Sequence, residues 1–238
     1  MTNYVWLRRD LRIEDNTALH NALEKYDNVQ VVFIFDDNIL KGLPDSDPRV
    51  NFIYDTLEKV NQQLKTFNSS IICLKGTPEV IWKDLLKKEK INNIHFNRDY
   101  EPYAIKRDNS LLKLFKTHNI NTYTYKDQVI FEKNEILKND GLPYTVYTPY
   151  KNKWLATYDT IVSKPLLQSS YNNFKKSQHL FPSKKELGIE INSIKVKQFT
   201  LQQLDNYSMT RDYPSIDGTS YLSPHLRFGT ISIRQVIA

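Results

Sequence analysis

The sequence predicts an α/β protein built on a doubly wound, five-stranded parallel sheet. Short apolar runs alternate with amphipathic stretches over residues 1–131. Several of those runs are apolar throughout, as strands buried on both faces of a parallel sheet are. The connections between them are compact, as strand–helix–strand crossovers require.

Each element has a local cause. The first strand is Tyr4–Leu7, followed by the charged loop Arg8-Arg9-Asp10-Leu11-Arg12 and a short helix, Thr17–Lys25. Val29–Phe35 is the second strand. A long helix then runs from about Pro48 to Phe67. Asp47 caps it and Pro48 suits its first position. Val50, Ile53, Leu57, Val60, Leu64 and Phe67 form one apolar stripe along it. The third strand is Ser70–Leu74. Thr77-Pro78-Glu79 opens a helix with Val80, Ile81, Leu85 and Leu86 facing inward. Asn93–Phe96 is the fourth strand, and Glu101-Pro102 opens a helix that buries Ile105, Leu111, Leu112 and Phe115. A weaker run, Thr122–Tyr125, completes the sheet.

Residues 132–199 change character, with Pro143, Pro149, Pro165, Pro182 and many Lys, Asn and Ser. Only Asn152–Val162 reads as helical there, so this is an inter-domain connection without a core of its own. Residues 200–238 read as the beginning of a helical domain. A helix runs from Thr200 through Leu204 to Met209, Pro214–Gly218 is turn-rich, and a further helix begins near Ser223-Pro224. The last residues, from Ile231 to Ala238, carry no helix stop signal.

Composition narrows the function classes. With 40% hydrophobic and 25% charged residues the chain is neither disordered nor fibrous. No apolar run is long enough for a bilayer, and the start reads straight into a strand rather than a signal peptide. The one cysteine, Cys73, excludes an intrachain disulfide. The expectation is a cytoplasmic monomer with no membrane association. Six glycines assemble no glycine-rich phosphate motif, and five histidines show no metal spacing. The +6 net charge is uneven. Residues 1–131 hold 19 Lys and Arg against 18 Asp and Glu, while residues 132–238 hold 14 against 9. A basic second half suits an anionic partner, and equally a solvated lysine surface.

Three places could carry chemistry. Thr219, Ser220 and Ser223 follow the turn at Asp217-Gly218 and precede Pro224. Hydroxyls and free N–H groups at a helix start can hold an anion, or simply cap the helix. Tyr207 and Arg211 stand four apart and share a helix face. Arg8–Arg12 and Asn97–Glu101 follow the first and fourth strands, at the carboxyl edge where open α/β sheets bind ligands. Because both signs are interleaved, the charges of the first loop fit a structural tie through Asp10, Asp15 or Asp36 better than a ligand site. His225 reads as a helix surface residue.

Three segments together resemble the photolyase/cryptochrome family. They are Val5–Leu19, containing Arg8-Arg9-Asp10-Leu11-Arg12; Asn97–Tyr103 with Tyr147-Thr148-Pro149-Tyr150 downstream; and Tyr207-x-x-x-Arg211 followed by Asp217-Gly218-Thr219-Ser220-x-Leu222-Ser223-Pro224-x-Leu226-Arg227-Phe228-Gly229. The third is the most specific, and the resemblance spans the whole chain. It implies a Rossmann-like antenna domain over 1–131, the connection over 132–199 and the incomplete start of an all-helical FAD-binding domain over 200–238. Tyr207 would contact FAD, and Thr219, Ser220, Tyr221, Leu222 and Ser223 would cradle its phosphates. Arg211 would meet a phosphate of damaged DNA. Glu101, Arg8 and Asp10 are candidates for an antenna pigment: a folate, a deazaflavin or a flavin. The implied activity is light-driven repair of cyclobutane pyrimidine dimers. The alternatives are (6-4) repair, a cryptochrome-type photoreceptor, or a stand-alone α/β nucleotide- or pigment-binding module. In the family, the residues that complete the flavin pocket and meet the lesion lie beyond this chain, and no metal is implied. The 238 residues alone are therefore expected neither to hold FAD tightly nor to repair DNA. Tyr221 stands where relatives often carry a basic residue.

Overall fold

The computed structural model describes residues 1–158 and 164–238. Five parallel strands, β1 (Thr2–Leu7), β2 (Val29–Asp36), β3 (Ile72–Gly76), β4 (Ile91–Asn97) and β5 (Asn121–Tyr125), pair in the order β3-β2-β1-β4-β5. Val5 is opposite Val31 of β2 on one side and His95 of β4 on the other. The chain builds outward from β1 to β3, then crosses back to place β4 on β1's free side. The strand order therefore reverses between β1 and β4, as expected for a doubly wound sheet.

The pleat assigns alternate residues to two cores. Val5, Leu7, Val31 and Phe33 face α1 (Thr17–Lys25) and α3 (Pro48–Lys65). Tyr4, Trp6, Val32 and Ile34 face α4 (Pro78–Lys88) and α5 (Pro102–Thr117). The α3 stripe is buried at Val50, Leu57, Val60 and Leu64 and half-buried at Ile53 and Phe67. Asp47 caps α3 by accepting from the Arg49 N–H at 2.8 Å. Truncating Leu57, which is fully buried, is expected to cost ~2–5 kcal/mol through lost burial and a residual cavity. Chemical denaturation of Leu57→Ala checks it.

Several expectations need correction. In α4, Val80 is exposed and Trp82 is buried instead, at the centre of an edge-on aromatic cluster with Tyr4, Trp6 and Phe115. In α5, Ile105 is exposed and the buried line is Ala104, Asp108, Leu111 and Phe115. One large ring rotates α4, and a buried carboxylate rotates α5, relative to the stripe that apolarity alone suggests. β3 starts two residues later than expected because its ladder is set by pairing Ile72 with Val32. A short helix, α2 (Asp37–Leu40), was not expected. It is capped by Asp36, which accepts from the Asn38 N–H at 3.0 Å.

The expected helix Asn152–Val162 is α6 (Tyr147–Tyr158), and residues 159–163 of that expectation lie outside the described residues. The connection adds side chains to the first core. Phe174, Leu187 and Ile189 are buried there, and Phe174 bridges Val29 in parallel. The helix expected from Thr200 to Met209 divides into a 3-10 turn, Gln202–Asn206, and α7 (Tyr207–Thr210). Leu201, Leu204 and Met209 are exposed, so no packed face sustains one longer helix. α8 (Leu222–Phe228) and α9 (Ile233–Ile237) follow. Among the described residues, no helix is long and apolar enough to cross a membrane.

Candidate functional site

Two places merit a functional reading: the carboxyl edge of the sheet and the loop before α8. At the edge, a hydrogen-bond network closes the switch point. Asn97, at the end of β4, donates to Asp10 at 2.6 Å and to the Asn16 side-chain oxygen at 2.9 Å. Its own side-chain oxygen accepts from the Ala18 N–H at 2.9 Å, at the start of α1. Asp10 also accepts from the Arg8 N–H at 2.6 Å. Its burial pushes its carboxyl above the usual carboxylate range. The Arg8 guanidinium pairs with Asp108 at 2.6 Å, donates to the Asn97 carbonyl, and lies 5.0 Å from the Trp6 ring centre. Arg107 lies 4.9 Å from the same ring, so two cations share one aromatic.

Arg8 and Asp10 are thus spent within the protein. Their bonds to Asp108, Asn97 and Asn16 shape the edge. The structural tie weighed for this loop exists, through Asp10 and Asp15 and, more strongly, through Asp108 and Asp127. Asn16 is the N-cap of α1, and its position before Thr17 was a readable signal. The partners Asn97 and Asp108 carried no local sign.

Glu101 differs. It is half exposed and bridges Arg9 at 2.5 Å and Arg227 of α8 at 2.7 Å. The Arg9 hydrogen bond, helped by Arg227, holds its carboxyl down at about 2. A depressed carboxylate contributes stability above its unfolded value and loses it as pH falls toward its folded value. The contribution of Glu101 is therefore expected to disappear between about 4.5 and about 2. Denaturation of the wild-type chain and Glu101→Gln across that window should give curves that converge on acidification.

Residues 222–238 dock on the loop after β1. Leu11 donates its N–H to the Phe228 carbonyl at 3.1 Å, and Arg12 donates to the Gly229 carbonyl at 3.0 Å. Gly229 has φ 64°, and a Cβ there would overlap the Arg9 carbonyl and the Asp10 backbone. Below it lies an ionic knot. Asp127, 1% exposed, pairs with Arg12 at 2.7 Å and Arg234 at 2.9 Å, and accepts from the Thr17 N–H at 3.1 Å. Arg234 also reaches Asp15 at 2.9 Å. Ser232 caps α9 in a capping box with Gln235, a spacing legible in the sequence.

The loop before α8 places the other candidates. Asp217 to Tyr221 turns back on α7: at Gly218 a Cβ would overlap Thr210. The expected hydroxyl cap does not form. The N-cap is Tyr221, at φ 55°, with no side-chain cap bond, and Ser220 Oγ accepts weakly from the Leu222 N–H at 3.4 Å. Starting the helix at Leu222 still leaves Pro224 in the first turn, where its missing N–H is harmless. Thr219 and Ser223 are exposed, and among the described residues their hydroxyls have no protein partner. Leu222 is buried.

Tyr207 and Arg211 share one turn, joined by the Arg211 N–H and Tyr207 carbonyl at 2.9 Å, and both are exposed. The Arg211 guanidinium is 3.5 Å from Asp212. His225 is buried, against expectation. Its ring joins Thr230 at 2.8 Å and the Lys197 carbonyl at 3.0 Å, and meets Phe52 and Phe199 edge-on. Both ring nitrogens are satisfied internally, so it fastens the segment before residue 200 to α8. Among the described residues, no three His, Cys, Asp or Glu gather to hold a metal.

Comparison with known proteins agrees with the α/β fold. The DNA photolyase family model matches residues 3–168. The deoxyribodipyrimidine photo-lyase of Synechococcus sp. strain PCC 6301 is 29% identical over 97% of this chain and 51% of its own length. That of Halobacterium salinarum is 30% identical over 97% and 53%. An uncharacterized 31.6 kDa protein of Synechococcus sp. strain PCC 6716 is 28% identical over 98% and 87%. Among solved structures, the Sulfolobus tokodaii archaeal photolyase with two FAD molecules superposes with a TM-score of 0.80 at 25% identity, covering 99% of this chain and 54% of that one. The chain spans about half the length of the curated photo-lyases it matches.

Proposed function

Because the chain belongs to the DNA photolyase family, we propose that it forms the antenna domain, connection and first flavin-binding segment of a light-driven repair enzyme for cyclobutane pyrimidine dimers. The divisions 1–131, 132–199 and 200–238 belong to this reading. The loop 217–223 carries it. Among the described residues two exposed hydroxyls there have no protein partner, and at Gly218 a Cβ would overlap the Thr210 side chain of α7.

That donor set fits a pyrophosphate. Thr219 and Ser223 would hold the FAD phosphates through their hydroxyls, with Ser220 and Tyr221 shaping the turn and Leu222 anchoring it. Tyr207 would lie against the cofactor, and Arg211 would meet a DNA phosphate. When bound and reduced, FAD supplies the light-driven electron that cleaves the dimer. The protein's task is to hold cofactor and extruded lesion together away from water. At the sheet edge, Glu101 remains the antenna candidate, while Arg8 and Asp10 position the edge. The pigment would be a folate, a deazaflavin or a flavin. The photo-lyase names of relatives at 29 and 30% identity support repair over a photoreceptor.

Blue-light assays on dimer-containing oligonucleotide test the proposal. We expect light-dependent repair from the polypeptide that carries this sequence in its host, and its absence overturns the proposal. In the repair-competent polypeptide, Thr219→Ala and Ser223→Ala should each weaken FAD binding about tenfold, as lost hydrogen bonds to a charged group do. Flavin fluorescence titration measures this.

A further inference from the structure

The loop proposed to hold a pyrophosphate carries no Lys or Arg from Asp212 to Leu226, and it carries two acids, Asp212 and Asp217. Of its neighbouring arginines, Arg227 is tied to Glu101, and the proposed function gives Arg211 to a DNA phosphate. Hydroxyls alone would therefore face a doubly negative ligand within a negative loop.

The fold brings a cation from elsewhere. The Lys197 Nζ is 2.6 Å from the Tyr221 hydroxyl and 3.3 Å from Asp217, and stands 4.3 Å from the centre of the Tyr221 ring. Two bonds set its place. The Thr200 N–H donates to the Ser220 carbonyl at 3.0 Å, and His225 fastens the Lys197 carbonyl at 3.0 Å. The buried His225 thus aligns residues 197–200 with residues 217–221. Tyr221 adopts a left-handed backbone at φ 55°, a conformation unfavourable for a non-glycine residue. Its hydroxyl also donates to Asp217. The aromatic face, the hydroxyl and the carboxylate converge on one ammonium group.

We propose that Lys197 is the cation of this phosphate-holding loop, kept in position by Tyr221 and Asp217 until an anion displaces Asp217. Lys197 lies 24 residues before Tyr221, and Tyr221 is its positioning residue. The inference rests on the flavin reading of the loop and adds a residue that lies outside its motif.

Inorganic pyrophosphate tests it on the full chain by two-dimensional NMR of the Thr219, Ser220 and Ser223 amides. Wild type is expected to show saturable, salt-sensitive shifts. Lys197→Gln should weaken them about tenfold, the scale of one charge-assisted bond, and Lys197→Arg should restore them. Asp217→Asn should tighten binding by removing the competitor. Lys197 is mostly exposed, so these variants leave the core intact. Equal titration of wild type and Lys197→Gln, or no response from wild type at millimolar pyrophosphate, overturns the proposal. FAD titration by flavin fluorescence separates the two readings. FAD bound equally by wild type and Lys197→Gln overturns the role of Lys197 and keeps the flavin. Lys197-dependent pyrophosphate binding with no FAD affinity in the polypeptide that carries this sequence supports Lys197 and overturns the flavin.

Discussion

Replacing Asp127 with Ala is expected to lower unfolding free energy by ~3–5 kcal/mol, because it strands buried arginines without their carboxylate. Arg12 is 7% exposed and Arg234 13% at the side chain, so neither recovers full hydration in place. The loss should reach beyond the knot. Asp127 also accepts from the Thr17 hydroxyl at 2.8 Å and holds the start of α1, while Arg234 holds α9. Burial by itself would raise the Asp127 carboxyl, yet Arg12 and Arg234 outweigh it and hold it below its ordinary value. With the folded value depressed, this stabilisation is present above the unfolded carboxylate range and is lost as pH falls below it. Urea denaturation of Asp127→Ala and wild type at neutral pH measures the difference. Repeating it under acid should narrow the gap.

Replacing Gly229 with Ala is the second large effect. The added methyl would overlap the Arg9 carbonyl and the Asp10 backbone, and the residue would sit at φ 64°. Overpacking and left-handed strain together are expected to cost roughly 2–5 kcal/mol. Backbone cannot swing aside as a flexible side chain does, so the contact should open rather than adjust. Residues 222–238 would lift from the β1 loop, breaking the Leu11 to Phe228 and Arg12 to Gly229 bonds. Hydrogen exchange at the Leu11 amide should accelerate strongly. Gly42→Ala is the control: there a Cβ meets nothing nearer than 3.9 Å, and little change is expected. Slow Leu11 exchange in Gly229→Ala would show that the docking tolerates a side chain.

The two variants probe one joint from both sides. The motif after the first strand and the motif around Gly229 stand 217 residues apart, yet Arg12 bonds directly to the Gly229 carbonyl. This contact sets how the loop after β1 and the segment around α8 face each other. Glu101 completes the joint from the edge of β4 through Arg227.

Much of the fold was legible in the chain. The strands read from short apolar runs and α3 from its stripe, its Asp47 cap and Pro48, because periodicity and capping are local properties. The hydroxyl loop was legible as an anion-site candidate, and its motif as a family resemblance. The misses have one form. Val80 and Ile105 are apolar yet exposed, because Trp82 and Asp108 turn their helices another way. His225 is polar yet buried, because Thr230 and the Lys197 carbonyl satisfy both nitrogens.

The sequence by itself determined the alternation of elements and the order of the motifs along the chain. Tertiary structure alone decided which charges meet. Arg8 finds Asp108, Arg12 finds Asp127 and Lys197 finds Tyr221 across separations that no window along the chain can register. Apolar burial follows a repeating local pattern. An ion pair depends on where two distant backbones come to lie, and that is known only once the chain has folded.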